Sequence, residues 1–278
     1  MRINILAPIL GLAFLSSPIL VHAQGSFIDG WQARATKTQG EQPHWVTPLV
    51  TVTPRLEQEF RYDFTRQIAP AGTDTWNYGN GKGLELIPFS RVEVIFNIPP
   101  YIEHNTKAVD GFGDTTFLLK YRFFARNEKS GDSIITAFMG ASVPTGTYKN
   151  GSVAGTLTPT LAVGKGFGKF DVVSTAGAAL PTSHTTALGR PIAWNATLQE
   201  NVAKFVWPEV EFNDTFYKGG PSDGHVQGFV TPGVMFGRFH VSKEHPRLGV
   251  TFGAGEEIAV THFHNYNHVL VFSGRIPF

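Results

Sequence analysis

The chain has 278 residues, 23 Lys+Arg against 22 Asp+Glu, and no cysteine. A balance this even excludes the basic surface of a nucleic-acid binder, and the missing thiols exclude a disulfide scaffold. Thirty glycines and 23 phenylalanines against three methionines favour strands and turns over a helical core.

The N-terminus carries one charge at Arg2, an apolar run from Ile3 to Leu20 broken by Pro8 and Pro18, and then Val21-His22-Ala23 before Gln24. That order of charged, apolar and small residues predicts a secretory signal peptide over residues 1–23. The alternative, a membrane anchor, suits the prolines and the short apolar core less well. Nothing after residue 23 is an apolar run of 18 residues. A mature chain that spans a membrane must therefore do so as a closed β-barrel, because only helices and closed barrels satisfy every backbone polar group in lipid.

Residues 24–54 hold Gly25, Gly30, Gly40, Pro43, Pro48 and Pro54 together with Trp31 and Trp45. They read as an irregular N-terminal segment, either periplasmic or folded into the lumen. The strand pattern begins at Arg55. Leu56, Phe60, Tyr62 and Phe64 share one parity, and Glu57, Glu59, Arg61 and Asp63 take the other. A strand with one face so charged cannot be buried on both sides. Next, Val92, Val94, Phe96 and Ile98 oppose Arg91, Glu93 and Asn97, and Phe117, Leu119, Tyr121 and Phe123 oppose Lys120 and Arg122. The alternation is weak over residues 133–144. It returns where Ile192, Trp194, Ala196 and Leu198 oppose Asn195, Thr197 and Gln199, and where Val210 and Phe212 oppose Glu209 and Glu211. Glu256 and Glu257 are adjacent, which predicts a bulge or a rim position.

The last stretch, residues 268–278, places Leu270, Phe272, Gly274, Ile276 and Phe278 on one face and Ser273 and Arg275 on the other. A chain that stops on a phenyl ring at the end of an alternating strand reads as the closing strand of a barrel, with the ring at the membrane boundary. The count is twelve strands, with ten to fourteen admitted by the strand limits. Odd-numbered connections are longer than even ones, the two-ended asymmetry of an outer-membrane barrel. Only the eleventh, a short turn near residues 265–267, departs from it. The expected organisation is a signal peptide at 1–23, the N-terminal segment at 24–54 and an all-β transmembrane antiparallel barrel at 55–278.

The segment Gly-Phe-Gly-Asp-Thr-Thr-Phe-Leu-Leu-Lys-Tyr-Arg-Phe-Phe (111–124), the Ala-Ser-Val-Pro-Thr-Gly-Thr segment (141–147) and the ending Arg275-Ile276-Pro277-Phe278 resemble a known family. It comprises the outer-membrane barrels labelled "MetA pathway of phenol degradation", described as transporters. The resemblance covers most of the mature chain and implies an outer-membrane barrel that passes small or hydrophobic molecules. It brings no residue set for a substrate site.

Glu57, Glu59, Arg61, Asp63, Arg91, Glu93, Lys120, Arg122, Glu209, Glu211 and Arg275 are the lumen-facing candidates. They either line a permeation path or pair across the lumen and fill it. Arg275 is expected within reach of Glu57, Glu59 or Asp63. Leu270, Phe272, Ile276 and Phe278 form the assembly signature, to be met by outer-membrane lipid and the barrel assembly machinery. His262, His264 and His268, with His240 and His245 nearby, could supply metal ligands but read better as a polar rim, so no metal and no cofactor is assigned. His240 and Ser242 resemble the His-x-Ser pair of outer-membrane lipid hydrolases, yet topology puts them at the periplasmic rim, and no enzyme is expected. The function read from the chain is passage of small, hydrophobic or aromatic molecules. The alternatives are a structural or binding barrel with a salt-bridged lumen, a lipid hydrolase, and an exported β-sandwich.

Overall fold

The computed structural model describes residues 18–80 and 82–278, with side chains from residue 27. Of the expected signal peptide, residues 1–17 lie outside the described residues. The chain divides into two compact units, Met1–Ala33 and Arg34–Phe278. In the first, described from residue 18, helix α1 (Pro18–Gly40) begins, and Phe27 meets Trp31 edge-on at 5.9 Å between centroids. Residues 24–40 are thus helical where an irregular segment was expected. The run from Trp31 to Gln39 has neither Gly nor Pro and is rich in Gln, Ala, Arg and Lys, good helix formers. Pro43 keeps the helix from continuing much past Gly40. No described helix is long and apolar enough to cross a membrane.

In the second unit the strands are β1 (Glu59–Ile68), β2 (Asp74–Gly79), β3 (Gly83–Phe89), β4 (Val92–Asn97), β5 (Tyr101–His104), β6 (Gly111–Phe112), β7 (Thr115–Arg126) and β8 (Ser133–Val143). They continue as β9 (Thr156–Phe167), β10 (Phe170–Ala178), β11 (Leu180–Pro181), β12 (Ile192–Glu200), β13 (Val206–Phe216), β14 (Val226–His240), β15 (Gly249–Ala259) and β16 (His268–Pro277). A short helix, α2 (Thr185–Leu188), sits in the loop before β12. Neighbours pair antiparallel in sequence order, and β16 returns to β1 over the register Glu59↔Pro277 to Ile68↔His268. The result is a closed antiparallel barrel of twelve wall strands. The sixteen segments reduce to twelve because β2 continues into β3, β4 into β5, β6 into β7 and β10 into β11, each pair forming one interrupted strand. Three of these interruptions, between β2 and β3, between β4 and β5 and between β6 and β7, lie side by side in the wall. Pro99 and Pro100 have no N–H to give the ladder. Single bonds bridge the gap, from Ile98 N to Lys82 O (3.1 Å) and from Gly113 N to Pro100 O (2.8 Å).

The outer face follows the sequence. Phe117, Leu119, Tyr121 and Phe123 on β7 are exposed, while Lys120 and Arg122 between them are buried. A register shift between Arg122 and Phe124 turns Phe124 outward as well. On β16, Phe272 and Ile276 are exposed and Ser273 and Arg275 buried. Glu257 borders a cavity of the lumen, whereas Glu256 sits half-exposed and pairs with His268 Nδ1 at 2.9 Å, a rim position with no register shift in β15–β16. The eleventh connection spans residues 260–267, because β15 ends at Ala259, so its expected shortness is corrected.

The wall also starts later than expected. Strand β1 begins at Glu59, and Leu56, placed by parity on the lipid face, is fully buried inside. Residues 41–58 rise from the end of α1 into the lumen, turn near Val52 and descend to β1. Gln42, Trp45, Val46, Thr47, Leu49, Thr51, Thr53, Arg55, Leu56, Glu57 and Gln58 are all buried. Of the two places left open for this stretch, it takes the lumen.

Candidate functional site

An irregular strand of chain brought inside a barrel must find partners for its own N–H and C=O groups. Lumen side chains supply them. Arg275 reaches the carbonyls of Thr47 (2.6 Å) and Pro48 (2.5 Å), and Arg61 Nη2 reaches that of Leu49 (2.5 Å). From β13 Glu209 accepts the N–H of Leu49 (2.9 Å), while Glu211 accepts those of Val50 (2.7 Å) and Thr51 (2.6 Å). On the descending limb Thr136 donates to Pro54 O (2.5 Å), Lys120 to Arg55 O (3.2 Å), and Glu93 accepts from Glu57 N (2.5 Å). At the base Arg122 binds Thr38 O (2.8 Å), and Gln42 exchanges two bonds with Leu56. Trp45 O is held by Arg238 at 2.9 Å and by Arg55. Because these contacts go to backbone, they read the path of the segment more than its side chains.

The acids and bases also pair with each other, as Arg61–Asp63 (2.6 Å), Lys120–Glu93 (2.9 Å) and Arg55–Glu57 (3.1 Å). Each pair is nearly dry, so removal of one member would strand a charge away from water. At the turn-side rim, outside the strands, His44 binds Glu128 through its ring (2.8 Å) and its N–H (2.5 Å). Burial raises the Glu128 carboxyl, but the His44 contacts more than offset this and hold it below its ordinary value. A depressed carboxylate stabilises the fold above the ordinary glutamate range and loses that contribution as pH falls through its lowered value.

Two apolar knobs fix the height of the segment. Trp45 packs with Ile134 and Val173 over Gly164, where an added Cβ would lie 2.6 Å from the Trp45 ring. Leu49 packs with Val46, Met235, Val269 and Val271 over Gly255, where a Cβ would lie 2.7 Å from Leu49 Cδ2. Trp45→Ala empties its slot. The expected result is a barrel destabilised by about 3–5 kcal/mol, measured as an earlier heat-modifiable transition on gels. An unchanged transition would mean that Trp45 is not a tether.

Of the eleven charged candidates, nine wall residues point inward and are buried: Glu59, Arg61, Asp63, Glu93, Lys120, Arg122, Glu209, Glu211 and Arg275. Glu57 is buried too, but on the inserted segment and not on a strand. Arg91 is corrected. It sits exposed in the turn between β3 and β4, where the chain reverses before the inward parity begins at Glu93. Arg275 faces β1 as expected, opposite Arg61 in the register; Ser273 links it to Asp63, and its guanidinium also binds the carbonyls of Thr47 and Pro48. Sequence reasoning passed over Arg55, Glu85 and Asp171, all buried inside. Glu85 was within reach, since it shares parity with Gly83 and Ile87.

The histidines do not converge. The two ring nitrogens of His264 close its own loop on Thr261 O (2.6 Å) and Asn267 Oδ1 (3.0 Å), and His268 is held by Glu256. Ser242 accepts the N–H of His245 (3.1 Å), a turn contact. Around the inserted segment lie cavities of about 350, 190 and 140 Å³ on the long-loop side and about 270 Å³ on the turn side.

Residues 50–236 match the family model described as "Putative MetA-pathway of phenol degradation". Among solved structures, the chain is similar to the crystal structure of an outer membrane channel from Pseudomonas putida F1, with 14% identity and a TM-score of 0.58. The similarity covers 84% of this chain and 100% of that one. No curated protein matches the chain.

Proposed function

The chain belongs to the MetA-pathway of phenol degradation family, and from that premise we propose that it is an outer-membrane channel for small molecules, closed at rest by residues 43–58. The observation that carries this reading is the lumen itself, a closed barrel whose inner charges hold a segment of the same chain by its backbone. Wall side chains alone can fill an eight-stranded barrel, whereas twelve strands enclose a wider interior, and here a segment of the same chain occupies it. Charge of both signs along the wall argues against strong ion selectivity. Hydrophobic or aromatic solutes are the favoured cargo, and the interruption across β2–β7, bridged by single bonds, offers them an exit into lipid. Uptake of labelled aromatic solutes by a deletion strain, compared with its parent, tests the cargo. Equal uptake by both strains would leave the second reading, a binding barrel with a closed, salt-bridged lumen.

In this reading the short-turn end faces the periplasm and Phe278 anchors the closing strand at that boundary. Its N–H donates to Gln58 O at 3.2 Å, one step beyond the β1–β16 ladder. Deleting Phe278 removes both the aromatic anchor and this last bond, leaving an edge that frays in lipid. Folded barrel in the outer membrane should then fall far more than after deletion of the loop residue Gly220. Heat-modifiable migration alongside outer-membrane abundance measures this, and equal abundance of the two variants would remove Phe278 from the assembly signal.

A further inference from the structure

The interior is chemically divided. Between β8 and β13, towards the long loops, lies the cavity of about 350 Å³, and no Asp, Glu, Lys, Arg or His borders it among the described residues. Thr160, Thr175, Asn195 and Thr215 give it hydroxyl and amide groups, while Gly177 and Ala193 keep it wide. The width depends on those small residues, since a Cβ on Gly177 would fall 2.1 Å from Thr160 Oγ1. Several of the polar groups already serve one another: Asn195 Nδ2 donates to Thr175 Oγ1 (3.0 Å), and Asn213 Nδ2 to Asn195 Oδ1 (3.1 Å). The neighbouring cavity of about 190 Å³ is the reverse, bordered by Arg61, Lys82, Glu85 and Lys120. Two residues border both chambers, Val52 at the top of the inserted segment and Leu118 on β7. One belongs to the insert and the other to the wall, and both are apolar.

We infer that the 350 Å³ cavity is a subsite for an uncharged small molecule, and that Val52 and Leu118 form the apolar gate between it and the charged chamber. The inference rests on the channel reading and gives that channel its solute class. A charged guest would give up hydration in the cavity and find no counter-charge. A neutral ring with one hydroxyl gives up little and meets both the apolar wall and a spare donor or acceptor, the usual makeup of a small-molecule pocket. At the gate two apolar side chains exclude water, and a dry constriction stops ions more effectively than it stops neutral solutes.

The test uses the purified full-length barrel in detergent and three probes that share a ring: benzyl alcohol, benzoate and benzylammonium. Saturation-transfer NMR is expected to give a benzyl alcohol signal several-fold above the other two, and Ala193→Phe, which fills the cavity, should abolish the excess. Ala179→Leu, at the break between β10 and β11, is the second filler if Ala193→Phe does not fold. Equal signals from all three probes overturn the uncharged class. A benzyl alcohol signal that survives a folded filler overturns the subsite.

The gate is read in planar bilayers. Val52→Ala and Leu118→Ala should each raise conductance several-fold, while Ile87→Ala, which trims a buried side chain of β3 that borders neither cavity, stays at the level of the intact chain. A rise with Ile87→Ala as large as with Val52→Ala overturns the gate, because general loosening then explains both. If a variant lacking residues 43–54 conducts while Val52→Ala and Leu118→Ala match the intact chain, the gate falls and the channel reading stands. If that variant is silent too, the channel reading falls and takes the gate with it, and the benzyl alcohol comparison judges the subsite by itself.

Discussion

A barrel lacking residues 43–54 is expected to conduct ions in a planar bilayer at several times the level of the intact chain. Two features set the size of this effect. Twelve wall strands enclose a wider interior than the eight-stranded barrels that side chains alone can fill. The deletion also removes Trp45 and Leu49 together with the backbone groups to which Arg275, Arg61, Glu209 and Glu211 are bound, so these charges become hydrated wall. Residues 55–58 remain and still lead into β1, so closure against β16 is preserved, and heat-modifiable migration verifies that the variant folds. A folded variant that conducts no more than the intact chain would mean that the wall side chains themselves close the lumen.

Arg275→Ala is expected to be the most damaging single change among the charged residues of the lumen wall. The guanidinium satisfies the carbonyls of Thr47 and Pro48 with two bonds and touches Ser273 Oγ, and it is almost entirely dry. Truncation leaves both carbonyls buried without donors and leaves the carboxylates of Glu59 and Asp63 with one cation fewer nearby. The expected cost is roughly 2–5 kcal/mol, seen as a lower heat-modifiable transition together with raised conductance. Arg275→Lys keeps the charge but loses the fork that spans two successive carbonyls, so it should fall between the two. A stability loss without any rise in conductance would show that Arg275 braces the wall and does not hold the insert.

Much of the wall was legible because lipid outside and charge inside impose a two-residue period. On β7 and β13 that period places Phe117, Leu119, Tyr121, Val210 and Phe212 outside and Lys120, Arg122, Glu209 and Glu211 inside, as found. It fails where the inserted segment docks. Ile134 on β8, Val173 on β10 and Val269 and Val271 on β16 face inward yet are apolar, because they pack against Trp45 or Leu49 and not against water. The weak alternation of residues 133–144 was therefore a trace of the insert. The same cause misplaced Leu56 and Glu57, whose alternation continues that of β1 although the chain has not yet joined the wall. The sequence also gave no sign that the charged lumen residues would bind backbone. A carboxylate that accepts two N–H groups, as Glu211 does from Val50 and Thr51, has the same pattern in sequence as one that pairs with a cation. Helix α1 was hidden by Gly25 and Gly30, which it tolerates.

The most direct measurement is amide hydrogen exchange across residues 43–58 of the intact barrel. The N–H groups of Leu49, Val50 and Thr51 donate to Glu209 and Glu211 inside the lumen. They should exchange as slowly as those of the wall strands and far more slowly than the loop at 218–225, and Glu211→Ala should release Val50 and Thr51 first. Exchange of residues 43–58 at the rate of the loops, in a barrel otherwise protected, would contradict the account.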